Sequence, residues 1–227
     1  MTISFSGLTF QIQLLYPGTE RFFAGFLTDS PSYTACLRVT QEDLRQAACY
    51  CPADASPEFL ETVALRRRLA DLLLSHDRCL FHSAAMVFRE QAYLFAAPSG
   101  TGKTTQLNLW RELYPEETTI LNGDKPVLQF LDTGTIVVHA SPWRGKESLG
   151  GTGSAPLGGI IYLRQSQACR LGLPFFPCWA SFSAQTGRKS TIGSCCRCSS
   201  GWCVQPPSGS WKTGEGRNLP GFATTDY

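Results

Sequence analysis

YLFAAPSGTGKTTQLNLW, residues 93–110, decides how this chain is read. An apolar, β-prone run ends at Ala97, a glycine-rich turn follows, and Leu107, Trp110 and Leu113 then recur at helical spacing. Upstream, CLFHSAAMVF (79–88) and AYLFAA (92–97) are two strand-like runs separated by the polar Arg89, Glu90 and Gln91. A β-hairpin is therefore predicted to feed the turn. Downstream, TTILN (118–122), KPVLQFL (125–131) and TIVVHA (135–140) have strand character, followed by the loop SPWRGKESLGGTGSAP (141–156) and the strand GGIIYLR (158–164).

Working outward, ASPEFLETVALRRRLADLLLSHD (55–77) predicts a helix over 57–75. Ser56 is a good N-cap, Pro57 fits the first helical position, and Phe59, Leu60, Val63, Leu69, Leu72 and Leu73 fall near one face. The first 55 residues, with runs such as ISFSGLTFQIQL and YTACLRV between turn residues, read as a small β-rich portion. At 227 residues the chain has room for one sizeable α/β domain with its own core.

Composition narrows the partners. Lys and Arg number 20 against 18 Asp and Glu, and Arg66-Arg67-Arg68 is the strongest basic cluster, in a helical pattern that fits a solvated face. Neither a nucleic acid nor an anionic membrane is implied. No apolar run approaches a membrane span, and the N-terminal residues lack the basic region of a secretory signal, so a cytoplasmic protein is expected. The ten cysteines then read as thiols or metal ligands rather than a disulfide framework.

The chemistry sits at the turn. Backbone N–H groups of a glycine-rich turn that opens a helix point at anionic oxygens, and the helix dipole adds favourable potential. Ser99, Gly100, Thr101, Gly102, Lys103, Thr104 and Thr105 supply such a turn, a P-loop arrangement of strand, turn and helix. Lys103 would neutralise the β- and γ-phosphates of ATP, and the Thr104 hydroxyl would ligate Mg²⁺. Ala97 stands where the full pattern has its first glycine, and Pro98 restricts it to extended backbone, so no positive φ is expected there. Asp124, at the end of a neighbouring strand, can touch Mg²⁺ or take a proton from an attacking hydroxyl.

FHSAAMVFREQAYLFAAPSGTGKTT, then ILNGDKPVL, then SPWRGKE, in that order, resemble the HPr kinase-like group of the phosphoenolpyruvate carboxykinase superfamily, particularly its small serine-kinase-like relatives. The resemblance spans roughly residues 58–165 and implies an α/β P-loop kinase with a mixed β-sheet flanked by helices. It implies a catalytic histidine upstream of the P-loop lysine, matched by His82, which lies 21 residues before Lys103. It also implies an Asp-Asp pair after the next strand. Asp124 matches the first of the two and Lys125 replaces the second. Lys125 either supplies charge to a phosphate or faces solvent. His82 either faces the nucleotide or is a hydrogen-bonded core residue. Arg144 and Lys146 either close over phosphates or receive the substrate, or belong to a surface turn anchored by Trp143.

The last quarter differs in kind. Residues 165–227 hold only Leu171, Leu173 and Leu219 as leucines and only Glu215 and Asp226 as acids, whereas six of the ten cysteines fall after residue 168. CCRCSSGWC (195–203) does not offer the two separated cysteine pairs of a structural zinc site. Reading the segment one base over restores charge and helical patterning, so it is read as out of frame from a point between about residues 165 and 195. The organisation expected is therefore a β-rich portion at 1–55, a P-loop kinase-like core at 56–165, and an aberrant, disordered tail at 166–227. The expected activity is ATP- and Mg²⁺-dependent phosphorylation of a hydroxyl on a peptide, a protein or a small molecule, with self-association left open. A nucleotide-binding regulatory module without transfer is the alternative. A carboxykinase acting on oxaloacetate is disfavoured by length.

Overall fold

Ser6 and Gly7 both take positive φ (51° and 72°), the backbone of a two-residue hairpin turn, and they join β1 (Thr2–Phe5) to β2 (Leu8–Gln13). β3 (Ala35–Arg38) pairs in parallel with β2, completing a three-stranded sheet in the order β1-β2-β3. The computed structural model describes residues 1–165, 192–198 and 201–204.

This N-terminal portion is less purely β than its sequence suggests. A 3-10 helix covers Pro17–Phe26, and α1 covers Gln41–Ala48. The signal for α1 is the pair Thr40 and Asp43, which form a reciprocal capping box, the Thr40 side chain accepting from Asp43 N and the Asp43 side chain from Thr40 N. Only Leu44 and Ala47 of α1 are buried, too few to show a helical period.

The next helix follows its caps. α2 runs Pro57–Leu74, with the Ser56 hydroxyl accepting from Phe59 N at 3.2 Å and Pro57 in the first turn. Its buried residues include Val63, Leu65, Leu69 and Leu73, but Phe59 is 48% exposed and does not belong to the apolar face. Glu61 does. Its carboxylate is fully buried and accepts from Leu15 N at 2.6 Å, Tyr16 N at 3.2 Å and the Thr19 hydroxyl at 2.6 Å. One hydrophobic core includes Ile3, Phe10 and Phe23 from before residue 55 and Leu65, Leu128 and Trp143 from after it.

The main sheet is mixed, with helices packed against it. Its order is β4 (Arg78–Leu80), β8 (Val127–Phe130), β9 (Ile136–His139), β10 (Ser154–Gln165), β6 (Gln91–Ala96), β5 (Ala84–Phe88) and β7 (Thr118–Asn122), and α3 (Lys103–Leu113) contacts β5, β6 and β7. β10 pairs with β9 through its first residues and in parallel with β6 further along. The tail expected at 166–227 lies outside the described residues, apart from the backbone of β11 (Ile192–Cys198), parallel to β10, and β12 (Gly201–Val204), antiparallel to β11.

CLFHSAAMVF is not the single strand that its apolar character suggests. β4 pairs with β8 while β5 pairs with β6 and β7, so Phe81-His82-Ser83 is a crossing between two parts of the sheet. The β7–β8 link crosses beside it, because Phe81 N donates to Pro126 O at 2.9 Å and Ser83 N to Asp124 O at 3.1 Å. The crossing is what brings His82 alongside Asp124.

Glu61→Ala removes the acceptor of two backbone N–H groups and a hydroxyl in a buried setting, so a loss of about 2–4 kcal/mol is expected in urea unfolding. Phe59→Ala on the same helix is expected to cost within about 0.5–1 kcal/mol.

Candidate functional site

Strand directions bring three chain segments to one end of the sheet. β5 is antiparallel to both β6 and β7, so β6 and β7 finish where β5 begins. The glycine-rich turn leaves β6 there, Asp124 follows the last residue of β7, and His82 precedes β5. The ends of sheet strands are where α/β proteins most often place a ligand.

A cleft of about 460 Å³ occupies this end. His82, Ser99, Gly100, Gly102, Lys103, Thr104, Thr105, Asp124, Arg144 and Lys146 all line it. Of the turn residues 99–105, Thr101 alone does not. The cleft adds Gly123, Gly145, Glu147 and Leu149, none of them singled out as a site residue by the sequence.

The turn is built on glycine. Gly102, the residue before α3, has φ 110°, a conformation that costs an L side chain dearly, and no side chain caps the helix. The first N–H groups of a helix have no partner within it, and Lys103, Thr104 and Thr105 carry those of α3 to the cleft. Ala97 takes no positive φ, as expected from the proline after it. The Lys103 ammonium folds back over the turn and donates to Ala97 O at 2.9 Å and Pro98 O at 3.4 Å. Burial pulls its pKa down, and the negative charge of Asp124 offsets part of that.

Asp124 is held from both sides. His82 Nε2 lies 3.2 Å from one carboxylate oxygen and Lys125 Nζ lies 3.1 Å from the other. Burial pushes the carboxyl up, but the hydrogen bond from His82 and the charge of Lys125 outweigh it and hold the pKa at about 2. At neutral pH the group is thus an anion and a poor proton acceptor. His82 is half exposed and faces the cleft, not the core, while Lys125 is turned to Asp124 and not to solvent.

Asn122 does the positioning. It is fully buried, and its Oδ1 accepts from Asp124 N at 2.9 Å and Lys125 N at 2.8 Å, while Nδ2 donates to Ser141 O at 3.0 Å. The loop after β9 is drawn in beside it: Gly123 N donates to Leu149 O at 2.9 Å and Lys125 N also reaches Trp143 O at 3.1 Å. The approach at Gly123 is so close that a Cβ there would stand 2.5 Å from Arg144 O. Sequence reasoning missed Asn122, although an Asn-Gly pair ending a strand is a turn signal.

The two readings of SPWRGKE turn out to be compatible. Trp143 is buried among Phe5, Phe22 and Phe23, and its Nε1 donates to Thr62 O at 3.1 Å. That anchor presents Arg144 and Lys146 to the cleft. The Arg144 guanidinium lies over the Phe26 ring, 5.1 Å from its centre, so the 3-10 helix steadies it.

The donor set does not fit a resident divalent cation. It offers the Thr104 hydroxyl, Glu147 and Asp124, whose two oxygens already face His82 and Lys125, and no group of three His, Cys, Asp or Glu residues suited to a metal exists among the described residues. Among the described residues no helix is long and apolar enough to cross a membrane.

No protein-family model matches the sequence, and no curated protein matches it. Among solved structures, the chain is similar to the HPr(Ser) kinase/phosphatase from Coxiella burnetii, over 44% of this chain and 71% of that one, with 10% identity and a TM-score of 0.32. The resemblance is weak and lies at the level of the fold.

The Asp124 carboxyl, at about 2 in the folded chain against an ordinary 3.8, stabilises the fold fully above 3.8, and that contribution disappears as pH falls through about 2. It amounts to on the order of 2 kcal/mol at neutral pH. Urea unfolding of wild type and Asp124→Asn across this range is expected to show a stability difference that shrinks toward pH 2. A difference that stays constant contradicts the ion-pair assignment.

Proposed function

We propose that the cleft binds a nucleoside triphosphate such as ATP by its phosphate chain and passes the terminal phosphoryl group to a hydroxyl on a peptide, a protein or a small molecule. The observation that carries this reading is the convergence of Lys103, Asp124, His82, Arg144 and Lys146 on the open first turn of α3. In this reading the Ser99–Thr105 segment is a P-loop. Its amides hold the β- and γ-phosphates, and Lys103 exchanges its bonds to Ala97 O and Pro98 O for phosphate oxygens.

In the transfer, a bond forms between the acceptor oxygen and the γ-phosphorus as the bridging bond breaks, ADP leaves, and the hydroxyl proton is released to water. The transition state is loose, so positioning and charge do most of the work and proton removal little. A carboxylate with a pKa near 2 suits that division: Asp124 orients the hydroxyl, and His82 assists by fixing the carboxylate. Lys103, Arg144 and Lys146 stabilise charge on the transferred group. Mg²⁺ carried on the nucleotide would supply further charge stabilisation and would meet the Thr104 hydroxyl, because Asp124 is engaged through both oxygens.

A second reading, a nucleotide-binding regulatory module without transfer, is favoured by the same low pKa, because Asp124 is then no strong base. ADP production that depends on an added hydroxyl acceptor separates the two.

Binding comes first in the test. ATP at about 100 times its Kd is expected to add roughly 2.7 kcal/mol of stability by mass action. Lys103→Ala is expected to lose most of the corresponding thermal shift, and an unchanged shift in that variant rules out the phosphate-binding turn. Asp124→Asn is expected to keep ATP binding within about tenfold while transfer falls by about 10²–10⁴. Full transfer by that variant excludes the orienting role.

A further inference from the structure

We infer that Lys125 is a built-in counter-ion for Asp124, so that the cleft takes the phosphate chain of a nucleotide with little dependence on a divalent cation. The inference rests on the proposed phosphate site and concerns what neutralises the carboxylate that follows β7.

Three observations place the charge. Lys125 Nζ stands 3.1 Å from Asp124 Oδ2, and the lysine side chain is only 19% exposed, so the ammonium is held and not free in solvent. Its backbone is pinned on both sides, the N–H by Asn122 Oδ1 and Trp143 O and the carbonyl by the Ser141 hydroxyl at 2.5 Å. Asp124 lines the cleft whereas Lys125 does not, so the ammonium backs the carboxylate instead of competing for the ligand.

The consequence is electrostatic. A phosphate chain brought beside an unpaired carboxylate is repelled, and a metal ion between the two is the common remedy. Here the remedy is covalently attached to the next residue. Lys103, Arg144 and Lys146 line the cleft against one further carboxylate, Glu147, so the phosphates meet an excess of cations and an Asp124 already balanced. A divalent ion that approached Asp124 would meet the ammonium's like charge and a carboxylate engaged through both oxygens.

The experiment is ATP binding to the full chain by calorimetry, in Mg²⁺ and in EDTA, for wild type, Lys125→Met and Lys125→Arg. The wild-type Kd is expected to change by less than about threefold between the two conditions, whereas Lys125→Met is expected to open a gap of about tenfold or more, within the usual range of coupling between two bound ligands. Lys125→Arg, which keeps the charge, is expected to follow wild type. Wild-type protein that binds ATP in Mg²⁺ but loses more than about tenfold in EDTA overturns the counter-ion role and leaves the phosphate site standing. Absence of ATP binding in both conditions overturns the site itself. The wild-type comparison decides the matter even where Lys125→Met does not fold.

Discussion

The buried amide of Asn122 is the constraint on which the site depends. It sits at the last position of β7, and its Oδ1 satisfies the N–H groups of Asp124 and Lys125 while its Nδ2 is satisfied by Ser141. A buried amide in this position is stable only if every bond is made, since each unpaired buried group costs about 1–3 kcal/mol. The chain must therefore turn just after β7, and the loop carrying Trp143 and Arg144 must lie against that turn. The glycine at position 123 exists for this approach, because any side chain there would run into the Arg144 carbonyl.

From that anchor the electrostatics follow. Lys103 and Lys125 are both buried enough for desolvation to pull their pKa values down, and both are supported by the negative charge of Asp124. A cleft walled by protein raises the effective strength of such charges above what water allows, so a single carboxylate can hold several cations in place. The price is a weakened base. The hydrogen bond from His82 and the charge of Lys125 keep Asp124 ionised, and chemistry that needs a proton acceptor near neutral pH must find it elsewhere or do without.

Much of this was legible in the sequence because it was local. The glycine-rich turn, the caps Ser56 and Pro57, and the hairpin into the turn depend on residues a few positions apart, and each is found where those residues are. His82 and Asp124 line one cleft, though their positions 42 residues apart carry no local signal of contact. What was illegible was long-range. The break at Phe81-His82-Ser83 is invisible in a run of apolar residues, because only pairing with β8 on one side and with β6 and β7 on the other requires it. Phe59 has the right spacing for a buried face but lies outside it, and Glu61, an acid by type, is buried because distant backbone donors at Leu15 and Tyr16 need it. The Lys125 alternatives were likewise undecidable until its ammonium was found on Asp124.

Everything proposed for the cleft stands on backbone amides of the turn between β6 and α3 holding phosphate oxygens. Amide hydrogen exchange with and without a non-hydrolysable ATP analogue tests this at the atoms concerned. Exchange is expected to slow by about tenfold or more at residues 99, 100 and 102–105, because N–H groups that line the cleft become hydrogen-bonded to the ligand. Slower exchange at 123–125 should accompany it as Asp124 is drawn to the ligand. Unchanged exchange across 99–105 at a saturating concentration of the analogue would contradict phosphate binding by this turn.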